Sequence, residues 1–160
     1  MAKKSSLTKK EIVALTQLLP RLQWPLPYSI FLALCKSVPI VAVYGAIMPD
    51  SKHIFLTYRK DEFFDHWCIP GAVLYYNEKI SATLTRVIKN KLNIKLKNIN
   101  FVGYYESRDK REHGVRFLFT GKPIDGVPHN GKYFHINRLP KNFLPAHMPG
   151  ITMLRKLKKV

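Results

Sequence analysis

The sequence predicts an α+β chain: antiparallel strand pairs around one central strand–loop–helix unit, with a helical extension in front. Three observations carry this. The length of 160 residues suits one domain. Ile80, Leu84, Ile88 and Leu92 recur every four positions, a core-facing helical stripe. Short apolar runs, rich in β-branched and aromatic residues, alternate elsewhere with Pro, Gly, Asn and Asp clusters, which is strand-and-turn texture. Hydrophobic residues at 46% and charged residues at 23% exclude wholesale disorder.

Taken in order, Met1–Ser6 is a polar, basic tail. Thr8-Lys9-Lys10-Glu11 fits a capping box, so a helix is expected from about Lys9 to Leu19 with Ile12, Leu15 and Leu19 on one face. Pro20, Pro25 and Pro27 break it. Tyr28–Ser37 reads as a second, apolar helix. Residues 1–37 thus form a basic tail and helical extension, and residues 38–160 the main domain of a single globular unit. Val41, Val43 and Tyr44 suit a strand, Pro49–Lys52 a turn and His53–Tyr58 a second strand, together a hairpin. A loop at Trp67–Gly71 leads into a short strand, Ala72–Tyr76, with Asn77 as a left-handed turn residue. The helix Lys79–Leu92 closes at Asn93, a residue type tolerant of positive φ. Strands follow at Asn100–Glu106 and Val115–Gly121, then a Gly/Pro-rich loop, a strand at Lys132–Ile136 and a basic C-terminal helix, Ile151–Lys159.

Twenty-seven Lys and Arg against ten Asp and Glu give a formal charge of +17. Such a field concentrates anions: nucleotides, nucleic acid or polyphosphates. No apolar run reaches the roughly 18 residues of a membrane span, so no membrane partner is expected. The N-terminal lysines are not followed by a signal-peptide pattern, and two cysteines, Cys35 and Cys68, are too few for a disulfide framework. A cytoplasmic, reducing setting is the expectation.

The chemistry lies in Trp67–Ile94. Trp67-x-x-Pro70-Gly71-Ala72, then Glu78 six residues after Ala72 and Arg86 eight after Glu78, resembles the Nudix box G-x(5)-E-x(7)-R-E-U-x-E-E-x-G-U, often preceded by W-x-x-P-G. The resemblance spans about residues 38–136 and implies a Nudix-like fold, a mixed β-sheet packed between helices. It also implies hydrolysis of a nucleoside diphosphate linked to another group. In that family the box carboxylates hold Mg or Mn, which bridges the diphosphate and activates water.

Here the box departs from the pattern. Its first Gly is Ala72 and its last is Asn93, while R-E-U-x-E-E reads Arg86-Val87-Ile88-Lys89-Asn90-Lys91. Hard divalent cations want several oxygen ligands. Val87 offers none, Asn90 one neutral carbonyl, and Lys91 a cation that repels a metal. The box is degenerate, and rebuilding its metal face takes Val87→Glu, Asn90→Glu and Lys91→Glu together. Lys91 in turn suits direct contact with a diphosphate, as a point charge.

Two readings stand. In the first, the chain is a Nudix-fold protein impaired or inactive as a metal-dependent pyrophosphohydrolase, which binds a nucleotide or sugar nucleotide through Arg59, Trp67, Gly71, Arg86 and Lys91. No metal ligand is assigned. In the second it is an active, divergent hydrolase. One branch of the family, acting on GDP-mannose, runs on a reduced box with a loop histidine. The matching candidates are Glu78 with Glu112 or His113, and Mg or Mn enters only on this reading. A weaker third reading is a basic RNA-associated protein, using Lys3, Lys4, Lys9 and Lys10 with Arg155, Lys156, Lys158 and Lys159.

Several residues keep two roles open. Arg86 either pairs with Glu78 or faces a phosphate. Arg59 either sits near substrate, as an arginine of relatives does, or is a solvated strand end. Trp67, Tyr75 and Tyr76 stack on a ring or pack, with at least one of the two tyrosines buried. The charged segment Arg108–His113 is a solvated hairpin tip or a lid.

Overall fold

The computed structural model describes residues 7–61, 64–108, 112–126 and 129–157. The chain runs α1 (Lys9–Leu18), α2 (Tyr28–Cys35), β1 (Ile40–Ile47), β2 (His53–Lys60), β3 (Asp65–Cys68), β4 (Gly71–Val73), α3 (Ile80–Thr85), β5 (Lys95–Arg108), β6 (His113–Asp125), β7 (Gly131–His135) and α4 (Met148–Lys156). A π-helical turn, Arg86–Lys91, continues α3.

The strands form two sheets. One is mixed and four-stranded, in the order β4-β1-β6-β5, with β1 antiparallel to β4 and parallel to β6. The other is antiparallel, in the order β3-β2-β7. The expected hairpin of β1 and β2 is therefore corrected. Consecutive in sequence, they lie in different sheets, because β4 and β6 take both edges of β1. The expected turn at Pro49–Lys52 is present. Asp50 Oδ1 accepts from the backbone N–H groups of Lys52 and His53, at 2.6 and 2.8 Å, and redirects the chain.

Strand alternation builds two cores, one on each face of the mixed sheet. On β1, Val43 and Ile47 join Leu84, Val87, Ile88 and Leu92 beneath α3 and the π turn. Ala46 points the other way, joining Ile54 and Leu56 of β2, Leu118 of β6, and Ile151 and Leu154 of α4. Gly45 lets the box helix come close: a Cβ there would stand 2.7 Å from the Ile88 side chain.

The expected box helix is present but changes its winding at Arg86. Asn77 and Asn93 adopt φ of 59° and 53°, as their residue type suggested. The strand after the loop is shorter than expected, ending at Val73, because the chain turns so that Glu78 can receive the Tyr75 N–H. Strands β5 and β6 are longer: Lys122–Asp125, expected as loop, pairs with Lys95–Lys97. Helix α1 has its capping box, yet none of its residues is buried, and Ile12, Leu15 and Leu19 face solvent.

Candidate functional site

A cavity of about 470 Å³ opens between the box, the mixed sheet and the N-terminal extension. Such a volume suits a small-molecule ligand. Its walls come from distant parts of the chain: Trp24 and Phe31 of the extension, Tyr44 on β1, Arg59 on β2, Gly71 on β4, Arg86 and Lys91 on the π turn, and Glu112 and Arg116 at β6.

Glu78 and Arg86 make the box loop rigid. Arg86 donates from Nε to Glu78 Oε1 at 2.9 Å and from Nη2 to Glu78 Oε2 at 2.8 Å. Nη2 also donates to the Val73 carbonyl at 2.9 Å, while the Tyr75 N–H donates to Glu78 Oε2 at 3.1 Å. The bidentate pair is a strong one. The Arg86 hydrogen bonds, aided by the Tyr75 N–H, hold the Glu78 carboxyl down at about 2. Arg86 also lies 4.0 Å above the Tyr75 ring. Of the two box tyrosines, Tyr75 is half-buried in the cavity wall and Tyr76 is 84% exposed.

Lys91 carries the unusual electrostatics. Partial burial, with the charges of Arg86 and Arg59 close by, holds its amine below the ordinary lysine range. Arg86 has Glu78, and Arg59 donates from Nε to Asp61 Oδ2 at 2.8 Å. Among the described residues, Lys91 has no hydrogen-bond or ion-pair partner.

The cavity floor is a network that the sequence reading missed. Arg116, 5% exposed, donates from Nε to Ser107 Oγ and from Nη1 to Tyr44 Oη, each at 2.6 Å, and from Nη2 to Glu112 Oε1. Beside it, His147 is buried, and its Nδ1 accepts the Ile69 N–H at 3.1 Å. Burial, reinforced by the Arg116 charge, lowers its pKa to about 3, so the ring is neutral. The signal for Arg116 was its phase: it shares an inward strand position with Leu118. His147 left none, since its partner Ile69 lies 78 positions away along the chain.

The structure brings Arg59, Gly71, Arg86, Lys91 and Glu112 to one cavity. Trp67 and His113 are not among its lining residues. Trp67 packs against Phe134 and Tyr58, and His113 Nε2 stands 3.5 Å from Glu106 on β5. Glu78 lies behind Arg86. Asp109, Lys110 and Arg111 of the charged segment, and Lys3, Lys4, Lys158 and Lys159 of the basic termini, lie outside the described residues. Arg155 donates to the Ile136 carbonyl, an internal contact. Cys35 and Cys68 are buried thiols at the cavity.

The donor set does not suit a hard divalent cation. Val87 is 2% exposed and belongs to the core, Asn90 is on the surface and Lys91 is cationic. Among the described residues, no group of three or more His, Cys, Asp or Glu side chains is placed to hold a metal. Of the described residues lining the cavity, Glu112 is the one carboxylate, and Arg116 engages it. No helix among the described residues is long and apolar enough to cross a membrane.

A MutT Nudix hydrolase from Burkholderia pseudomallei superposes with a TM-score of 0.65 at 21% identity, covering 73% of this chain and 98% of that one. The chain has the Nudix fold. A UDP-X diphosphatase structure superposes with a TM-score of 0.62 at 18% identity, covering 96% of this chain and 86% of that one. In sequence, the Nudix-fold chain is 29% identical to the ADP-ribose pyrophosphatase of Methanocaldococcus jannaschii, over 64% of this chain and 66% of that relative's length. The match thus spans just under two-thirds of the relative. No protein-family model matches the chain.

Proposed function

We propose that this Nudix-fold protein binds the diphosphate of a nucleotide or sugar nucleotide in the cavity, and that metal-dependent pyrophosphohydrolase chemistry is impaired or lost. One observation carries the reading: Lys91 faces the cavity beside Arg59 and Arg86 with no acidic partner of its own among the described residues. Arg59 and Arg86 are each offset by a carboxylate, so the Lys91 ammonium is the charge in this wall that an anion would balance. Lys91 stands at a box position where a carboxylate would hold metal, so its ammonium meets the diphosphate directly. Arg86, fixed by Glu78, offers it an oriented guanidinium.

The test pairs thermal shift with phosphate release, using ADP-ribose and UDP-glucose with and without Mg or Mn. Stabilisation without metal, lost in Lys91→Glu, is the expected result. Metal-dependent turnover well above buffer would overturn it. The named activity of the Methanocaldococcus jannaschii relative favours that second reading, an active divergent hydrolase. Glu112 is then the carboxylate at the cavity, and it has to leave Arg116 to act as a base. Turnover abolished by Glu112→Gln would identify that route.

A further inference from the structure

We infer that the chain forms a two-fold dimer in which helix α1 of each copy packs on the exposed aromatic face of strands β5 and β6 of the other. The inference is independent of what the cavity binds. It joins two surfaces that the fold leaves without a layer to pack against, a helix with no sheet and a sheet face with no helix.

Helix α1 is ten residues long, and none of them is buried. An isolated helix shorter than about 12–15 residues is marginal in water, and a capping box secures only its first turn. Ile12, Leu15, Leu18 and Leu19 follow helical spacing and are all exposed. A helix this short, with an apolar side, needs a surface to cover it. The sheet offers one at its edge strand, β5. Phe101 opposes Phe119 and Tyr104 opposes Phe117 across the β5–β6 pair, with ring centroids 5.2 and 6.5 Å apart, and Phe101 lies 6.1 Å from Phe117. Phe119 packs against the core beneath α3, which puts the four rings on the face that the box helix shares. The box helix covers β1 there, through Val43 and Ile47, but Phe101 stays 55% and Tyr104 63% exposed.

The occupant is a second copy because each surface finds its complement on the same chain. Within one copy the two do not meet: α1 has no buried residue, and the extension it leads is fixed to the box by Trp24 stacked on Tyr75, ring centroids 5.0 Å apart. A two-fold axis makes the helix-on-sheet contact twice, once in each direction. The exposed parts of these helix and strand side chains come to roughly 700 Å² per copy, close to the ~800 Å² that a stable interface takes from each partner. An apolar surface of that extent is large for a monomer. Two copies of formal charge +17 repel, so the attraction is apolar and strengthens as salt screens the charge.

Sedimentation equilibrium of the full chain tests this. The wild type should sediment with twice the mass of one chain, with a Kd of about 1 μM or tighter. Leu15→Gln with Leu18→Gln on the helix should weaken the dimer at least about tenfold, and so should Phe101→Ser with Tyr104→Ser on the sheet. Mixing the two double variants leaves one helix-on-sheet contact intact in each mixed pair, so the mixture should associate more tightly than either variant alone. Raising salt from about 0.01 to about 0.1 M should tighten the wild-type dimer. Hydrogen exchange at the α1 amides should slow as protein concentration rises. Near-ultraviolet circular dichroism and a thermal melt identify any variant that has not folded, and Leu15→Gln alone and Tyr104→Gln alone then take its place. A wild type that stays monomeric overturns the inference, including one in which α1 is protected at every concentration, since the helix then packs on its own chain. A monomer that binds poly(U) through Phe101 and Tyr104, with affinity falling as salt rises, overturns it in favour of nucleic acid on this face. A dimer that loosens with salt, or double variants whose mixture recovers nothing, overturns the helix-on-sheet pairing.

Discussion

Glu78 and His147 show how single side chains set the site, and each is readable through pH. Glu78 takes two bonds from Arg86 and one from the Tyr75 N–H, so Glu78→Gln should cost about 1–3 kcal/mol at neutral pH, measured by urea unfolding. Its carboxyl falls from an ordinary 4.5 to about 2 on folding, so its contribution is complete above 4.5 and lost as pH falls toward 2. The gap between wild type and variant should therefore close below 4.5; a gap constant in pH would show that the charge is not what matters. His147 works through neutrality. The folded ring resists protonation down to about 3, while the unfolded ring takes a proton below 6.5. Between those values the unfolded state holds the extra proton, and stability falls with falling pH by about 1.4 kcal/mol per unit. His147→Asn keeps an acceptor for the Ile69 N–H and cannot titrate. Its stability should fall less steeply over that window, by about one proton's worth. The Glu78–Arg86 pair was legible in the sequence because the box spacing fixes it locally. The Arg116–Tyr44 and His147–Ile69 contacts were not, because those partners lie 72 and 78 positions apart and meet only through tertiary packing.

The elements explain which parts of the box can be changed. Helix periodicity places Leu84, Ile88 and Leu92 in the core, where they lie, and Asn77 and Asn93, two of the four asparagines with positive φ among the described residues, mark their turns. Pairing between strands is a non-local property, so β1 and β2 looked like a hairpin from their turn alone, although neighbours far along the chain claim β1. The same limit applies to Val87. The box pattern groups it with Asn90 and Lys91 on one metal face, but the structure sinks Val87 among Val43, Phe55 and Leu84 while Lys91 lines the cavity. Rebuilding all three box carboxylates therefore combines two different lesions. Val87→Glu buries an unpaired carboxylate and should destabilise by about 3 kcal/mol or more. Asn90→Glu with Lys91→Glu changes side chains that belong to neither core and should stay within about 1 kcal/mol of wild type. Urea midpoints of the double and triple variants decide this. A triple variant as stable as the double would mean that the helix can turn Val87 out of the core.

At the scale of the whole molecule, the formal charge is +17, and four of the cations line the cavity. Sequence alone gave the charge, but not that Arg59, Arg86, Lys91 and Arg116, from three separate elements, converge on one cavity that the extension walls off. The field acts on two quantities with opposite sign. A net positive chain repels itself when compact, so screening should stabilise the fold. The same screening should weaken capture of an anion. The Debye length shrinks from about 30 Å at 0.01 M salt to about 10 Å at 0.1 M, enough to separate the distant lysines from the cavity but not the cavity's own cations from one another. Over that range the melting temperature should rise by about 2–4 °C, equivalent to about 1 kcal/mol for a chain of this size. Pyrophosphate affinity should fall over the same range, yet remain measurable. If salt lowered the melting temperature, attractive ion pairs such as Glu78–Arg86 would outweigh the self-repulsion, and the excess charge would be a property of the surface alone. If affinity vanished entirely at 0.1 M, the anion would be held by the diffuse field and not by Lys91 and its two arginine neighbours, because contacts at that range survive screening.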